Sequence, residues 1–295
     1  MPTPVPRKRK RSPNPKPTSS RTSPPPPPTT STPSSILNSP RHRATATHVF
    51  FHSGVLSNWH PSPTRFRGKE GLEICLPRLD ELGISHPSPE SYSTLLIQEF
   101  GFGRGEQWMM AMKAWLFECG IDDSGSRMFQ RTGTVEDEEF RDFQRDVLSK
   151  SGPPPESASA SSSTGSDEKE QAWAARLPTI LRTNVPRTQK ALGRKVLGFR
   201  QDVWNAASVP IMMAGCVIRA QADPELKSLY VAASGRTFVE GAPRDRIWGV
   251  GLKWDSKAIE DEKNWRGENR LGKCHGEAAA LIRGVEGDGN DRLDG

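Results

Sequence analysis

Metal-binding spacings are missing from this 295-residue chain. Its four cysteines, Cys75, Cys119, Cys216 and Cys274, make no CxxC knuckle, and its six histidines make no HExxH pair. No metal is therefore expected, and the thiols read as reduced and partly buried. No apolar stretch follows the N-terminus as a secretory signal would, and no apolar run approaches the length of a membrane span. The expectation is a soluble intracellular chain, in cytoplasm or nucleus, with no membrane partner. Apolar residues are scarce too, at 34% against 26% charged, with a mean hydropathy of −0.65. A compact domain of this full length would be more apolar, so part of the chain should lie outside any core.

What is present is unevenly spread. Eight tryptophans argue for an ordered, aromatic-rich portion. The net charge of +6 begins with Arg7-Lys8-Arg9-Lys10-Arg11, a candidate nuclear-import signal or a plain solvated arm, and the chain ends acidic from Glu286 to Asp294. Residues 1–45 are rich in Pro, Ser, Thr and Arg and include the run Pro24 to Pro28. They cannot bury enough apolar surface to offset ordering entropy, so they read as a disordered basic arm. Residues 151–171 read as a flexible polar insertion, and residues 285–295 as a disordered acidic tail. Two ordered stretches, about His48–Leu148 and Trp173–Arg283, remain. Neither holds a complete set of the candidate site residues, so both are assigned to one domain, residues 46–284.

Period and punctuation place short strands at Val49–Phe51 and Thr237–Val239, with helices at Gln107–Phe117, Thr188–Gly198 and Val209–Ala222. Asp223-Pro224 restarts a helix, with Asp as N-cap and Pro at the first helical position, and Gly235 stops it. Gly241–Gly272 is turn-rich, and a last helix runs from about Leu271 to Ile282. The expected class is α+β, mostly helical with a few short strands.

Four constellations carry chemistry-bearing residues. Leu56-Ser57-Asn58-Trp59 follows the first strand, where Asn and Ser fix a turn or meet a ligand. Glu106 and Lys113 share one face of an otherwise apolar helix, about 10 Å apart along its axis. Gly193-Arg194-Lys195 precedes Trp204, and clustered cations beside a glycine suit a phosphate. Finally, Asp245, Trp248, Gly249 and Gly251 are followed by Trp265, Asn269 and Gly272. Glycines interleaved with Trp, Asp and Asn let a backbone approach a ligand and a ring stack on a base.

In this order the pieces resemble the YbiA-like, or NADAR, family: Phe51 with Leu56 to Pro61, Glu106 to Phe117, Gly193 to Trp204, Asp245 to Gly251 and Trp265 to Gly272, with "AQADPEL" at Ala220 to Leu226. The resemblance implies one YbiA-like domain that cleaves N-glycosidic bonds of phosphorylated ribosyl or ADP-ribosyl compounds, riboflavin-pathway intermediates or ADP-ribosylated guanine among them. ADP-ribosylated nucleic acid is then a candidate partner, and no cofactor is expected. Such a reaction passes through an oxocarbenium-like state, which calls for a carboxylate, a stacking surface and cations for phosphate. Candidate catalytic residues are Glu106, Lys113 and Asp245. Lys113 either neutralises charge or attacks ribose C1 to form an imine. Candidate substrate-binding residues are Asn58, Trp59, Arg194, Trp204, Trp248, Gly249, Gly251, Trp265, Asn269 and Gly272, with Trp108 and Lys195 as further candidates. The chain departs from the family pattern in Gly105 before the helix Glu, in an insertion over residues 69–101, and in Lys273-Cys274-His275-Gly276 where an apolar helix is usual. The alternative function is a catalytically silent module that binds ADP-ribose or a NAD metabolite.

Overall fold

Alternating and helical apolar patterns sort residues 33–118 and 176–290, those described by the computed structural model, into nine α-helices and five short strands. In chain order these are α1 (Pro33–Leu37), β1 (His42–Ala44), β2 (His48–Phe51), β3 (Phe66–Arg67), α2 (Gly68–Glu81), α3 (Tyr92–Glu99), β4 (Gly101–Phe102) and α4 (Gly105–Glu118). The chain resumes with α5 (Leu177–Arg182), α6 (Pro186–Gly193), α7 (Gln201–Ala222), α8 (Pro224–Ala232), β5 (Thr237–Glu240) and α9 (Arg270–Asn290). The architecture is mostly helical with few strands, as the sequence predicts.

The core forms around α7, which packs against α2, α4 and α9. Gly71 and Gly215 admit the Trp108 ring between helices: a Cβ at either would come within 2.6 or 2.4 Å of it. Trp108 is fully buried and donates its indole N–H to the Ile211 carbonyl at 2.7 Å. α7 is long and apolar enough to cross a membrane by length and composition, contrary to the expectation that no run would be, but 72% of that window is buried inside the protein. It is a core helix whose apolar character is used in packing.

One sheet joins the two halves of the chain. β2 pairs antiparallel with β1 and parallel with β5, matching Val49 with Phe238 and Phe51 with Glu240. Period-two alternation sends Val49, Phe51 and Phe238 to the helical core and Phe50 and Val239 to a second apolar cluster with Val250 and Ile259. The ends of α4 also secure the re-entering chain. Gln107 donates to the carbonyls of Leu181 and Thr183, and the buried Glu118 carboxylate accepts from the N–H groups of Arg176, Leu177 and Leu197.

Several expected boundaries move. The ordered chain begins before Thr45, because Leu37 is buried and β1 pairs with β2. Residues 69–101 contribute to the core: α2 and α3 bury Leu72, Cys75, Leu79, Leu96 and Ile97. α6 spans Pro186–Gly193 instead of Thr188–Gly198, since Pro186 opens it and Gly198 takes a left-handed φ of 64°. α9 continues to Asn290, past the expected start of the tail at residue 285. Most of the basic arm, residues 151–171, Cys119 and the last five residues lie outside the described residues. Cys75, Cys216 and Cys274 are buried free thiols.

Candidate active site

Glu106 is the second residue of α4 and is 2% exposed. The loop after β2 holds it from both sides. The Asn58 carbonyl accepts from Glu106 N–H at 2.9 Å, and the Trp59 indole N–H donates to Glu106 Oε2 at 3.2 Å. Gly105 suits this approach, because a Cβ there would stand 2.7 Å from Asn58 Oδ1. The loop is anchored from behind by two buried groups. Arg219, 1% exposed, donates to the carbonyls of Val55 and Ser57 and to Ser62 Oγ. His275 donates Nε2–H to the Leu56 carbonyl at 2.8 Å and accepts from the Tyr230 hydroxyl on Nδ1 at 2.6 Å. The Lys-Cys-His departure at the start of α9 is thus part of the loop's foundation.

Arg219→Met would leave two loop carbonyls without their charged donor. Each buried acceptor so exposed costs about 1–3 kcal/mol. The variant is expected to unfold at clearly lower denaturant concentration and to bind ligand more weakly. An unchanged midpoint in urea would show that the loop holds its shape without Arg219.

Opposite Glu106 stands the turn after β5. Asp245 Oδ1 accepts from the N–H groups of Ile247 and Trp248 at 3.0 and 2.9 Å, an Asx turn that presents Trp248. Together these elements enclose a cleft of about 710 Å³ lined by His52, Asn58, Trp59, Glu106, Lys190, Arg194, Glu240, Arg244, Asp245 and Trp248. Trp59 is 44% exposed at its mouth. The Lys190, Arg194 and Arg244 side chains make no ion pair among the described residues, so their charge is available to an anion.

The cleft floor carries unsatisfied acid groups. Glu106 Oε1 and Glu240 Oε2 are both buried without a hydrogen-bond partner. Burial drives the Glu106 carboxyl up to about 7 against the pull of Lys190 and the Trp59 hydrogen bond, and burial with the Asp245 charge drives Glu240 up to about 8. Groups held above their unfolded values lend stability that is complete below about pH 4.5 and is lost as pH rises through about 7 and 8. His275 acts with the opposite sign. Burial lowers it from 6.5 to about 3, so its contribution is complete above pH 6.5 and is lost on acidification. Of these three groups only the two carboxyls titrate between pH 6.5 and 8. Denaturation midpoints are expected to fall across that window in the wild type and to flatten in a Glu106→Gln, Glu240→Gln double variant. A wild-type midpoint that rises there would show that neither carboxyl is held protonated.

The structure brings Asn58, Trp59, Glu106, Arg194, Asp245 and Trp248 together. Other candidates serve the fold. Asn269 takes a φ of 54°; its side chain accepts from Glu240 N–H and donates to the Phe238 carbonyl, pinning the free edge of β5. Gly249, Gly251 and Gly272 permit tight backbone packing: Gly251 has a φ of 70°, and a Cβ at Gly272 would lie 2.1 Å from the Phe238 carbonyl oxygen. Trp265 donates to the Ile259 carbonyl and packs on the second apolar cluster. Trp204, 8% exposed, packs beside Phe117. Lys113 does not line the cleft; its ammonium lies 3.8 Å from the Phe199 ring centroid and 5.6 Å from that of Trp204. His52, Lys190, Glu240 and Arg244 are the charged or titratable cleft residues that the sequence reading misses. Lys190 sits three residues before the recognised glycine, and Glu240 ends a strand that alternation alone marks as half-buried.

Fold and cleft define a mostly helical α+β domain with an acidic floor, free cations and tryptophans at one opening. Residues 165–282 match the NADAR domain family model. Asn58, Trp59, Glu106 and Lys113 precede the matched span; the first three join it through the cleft. The chain is 33% identical over 96 residues to protein irg-1 of Caenorhabditis elegans, covering 32% of this chain and 45% of that relative. It is 33% identical over 84 residues to the N-glycosidase R617 of Acanthamoeba polyphaga mimivirus, covering 28% of this chain and 49% of the relative. The chain spans about half the length of the curated relatives it matches.

Proposed function

We propose that this chain hydrolyses the bond between ribose C1 and nitrogen in a phosphorylated ribosyl or ADP-ribosyl compound. The observation that carries this reading is the buried Glu106 carboxyl, one oxygen unpartnered, at the floor of a cleft that also holds free cations. As the C1–N bond lengthens, positive charge grows on the sugar, and a carboxylate in a desolvated site stabilises it and takes a proton from water. Trp59 and Trp248 offer ring faces to a base, and Lys190, Arg194 and Arg244 offer charge to phosphate. The name of the mimivirus relative, an N-glycosidase, supports the same reaction class.

The test is incubation of the full chain with ADP-ribosylated guanine in DNA, with NAD and with ribosylaminopyrimidine phosphates, followed by detection of free base and free sugar. Release of both from at least one compound is expected. ADP-ribose binding with no cleavage of any of them would replace the enzyme by a silent binding module.

A second route through the same site is favoured by one observation. Lys113 is half-buried, and desolvation lowers its pKa, which raises the share of free amine. It lies one helical turn, about 6 Å, beyond the cleft-lining Met109. A rotamer change that lifts the ammonium off the Phe199 ring aims it toward the cleft, since long helical side chains lean toward the helix N-terminus. In that route the amine attacks C1, and water later releases the sugar.

A further inference from the structure

Glu240 closes β5, and alternation puts its side chain on the Phe238 side, toward the helices. Its backbone is fixed by three hydrogen bonds: its N–H donates to Asn269 Oδ1, and its carbonyl accepts from the N–H groups of Ala242 and Val250. The side chain therefore has a rigid base. It reaches the same cleft as Glu106, and each of the two carboxyls has a buried oxygen with no partner. Burying one unsatisfied acceptor is costly, and two on residues that line one cleft mark a place where a ligand can complete the hydrogen bonding.

The two carboxyls have different surroundings. Glu106 lies in the first turn of α4, where the helix terminus favours an anion, and it accepts the Trp59 hydrogen bond. Glu240 accepts no hydrogen bond on its orphaned oxygen, and the largest charge acting on it is the Asp245 carboxylate, which is fixed by its own turn. The charged and titratable groups that line the cleft with it are Glu106 from α4, Lys190 from α6, Arg194 just after α6, Asp245 and Arg244 from the turn, and His52 after β2. Lys190 is the cation that opposes the two acids.

We propose that Glu240 is a second catalytic residue, the general acid that protonates the departing base nitrogen while Glu106 acts as the base. The assignment rests on the N-glycosidase reading. In the direct route, Glu106 carboxylate takes a proton from water as the water oxygen bonds to C1. The C1–N electron pair leaves with the base, and the Glu240 carboxylic acid gives its proton to that nitrogen. The products are the free base and the sugar with a C1 hydroxyl. Glu106 then holds one proton more and Glu240 one fewer, and transfer of that proton between them restores the starting state. Where two carboxyls in one site are driven apart by their environments, the higher is the acid. Glu240, with no donor on its orphaned oxygen and the Asp245 charge beside it, is the carboxyl whose surroundings favour the protonated form, whereas the Trp59 hydrogen bond and the helix terminus favour the Glu106 carboxylate.

The experiment uses the full chain and whichever compound of the panel above the wild type cleaves. Glu240→Gln keeps the side-chain shape and is expected to lower kcat by on the order of 10²-fold or more, with ADP-ribose affinity unchanged. The alkaline fall of the wild-type pH–rate profile should vanish in that variant, and Glu240→Asp should restore it at reduced rate. A folded Glu240→Gln that turns over like wild type, or that keeps the alkaline limb, overturns the assignment and leaves the glycosidase reading intact. A wild type that cleaves nothing in the panel overturns both.

Discussion

Glu106→Gln is expected to lower kcat by on the order of 10²-fold or more while leaving ligand affinity nearly unchanged. The reason is where the group acts. Oε1 has no hydrogen-bond partner among the described residues, and the charge it meets develops only as the C1–N bond breaks. An interaction made mainly in the transition state raises kcat rather than binding. The amide is isosteric and can still accept the Trp59 N–H through its oxygen, so the loop should keep its shape. Trp248→Ala should give the opposite pattern. A ring stacked on a base works in the ground state too, so affinity falls and kcat follows less. Steady-state kinetics on a cleaved substrate, with ADP-ribose titrations of both variants, separate the two patterns. Equal kcat for wild type and folded Glu106→Gln would remove Glu106 from the chemistry.

Local signals account for what can be read without coordinates. Asp223-Pro224 announces the start of α8, and the structure shows the Asp223 carboxylate accepting from Glu225 and Leu226 N–H. Helical spacing finds α4, and the short run Thr237-Phe238-Val239 finds β5, which extends one residue further to Glu240. What stays hidden is long-range. Nothing in either strand says that Val49 lies beside Phe238, because parallel pairing leaves no turn signal between partners. That pairing is what carries Glu240 to the cleft, so a lone glutamate at a strand end passes unnoticed. The tryptophans mislead for a related reason. A large aromatic signals burial or binding equally, and Trp108, Trp204 and Trp265 are engaged in packing while Trp59 and Trp248 reach the cleft. Asn269 reads as a ligand contact because Asn in a glycine-rich turn can serve either purpose; its left-handed φ and its bonds to β5 assign it to the fold.

Lys113 separates the two routes. Borohydride added during turnover should leave a ribosyl adduct on the wild type if the amine attacks C1, because reduction makes the imine permanent. Lys113→Ala should then lose both trapping and activity. Lys113→Arg should lose them as well, since a guanidinium stays protonated and is no nucleophile at neutral pH. If the ammonium acts only through its charge, Arg keeps that charge and the ring contacts with Phe199 and Trp204, most activity survives, and nothing is trapped. The structure makes the first outcome demanding. The amine starts over an aromatic face outside the cleft wall, so attack requires the cation–π contact to be given up, at a cost of about 0.5–2 kcal/mol. That cost is small beside the roughly 3 kcal/mol represented by a 10²-fold rate effect, so the ring contact does not bar the route. Phe199→Ala is the discriminating companion. Removing the ring should speed trapping if Lys113 must leave it to react, and should leave the rate unchanged if Lys113 never enters the cleft.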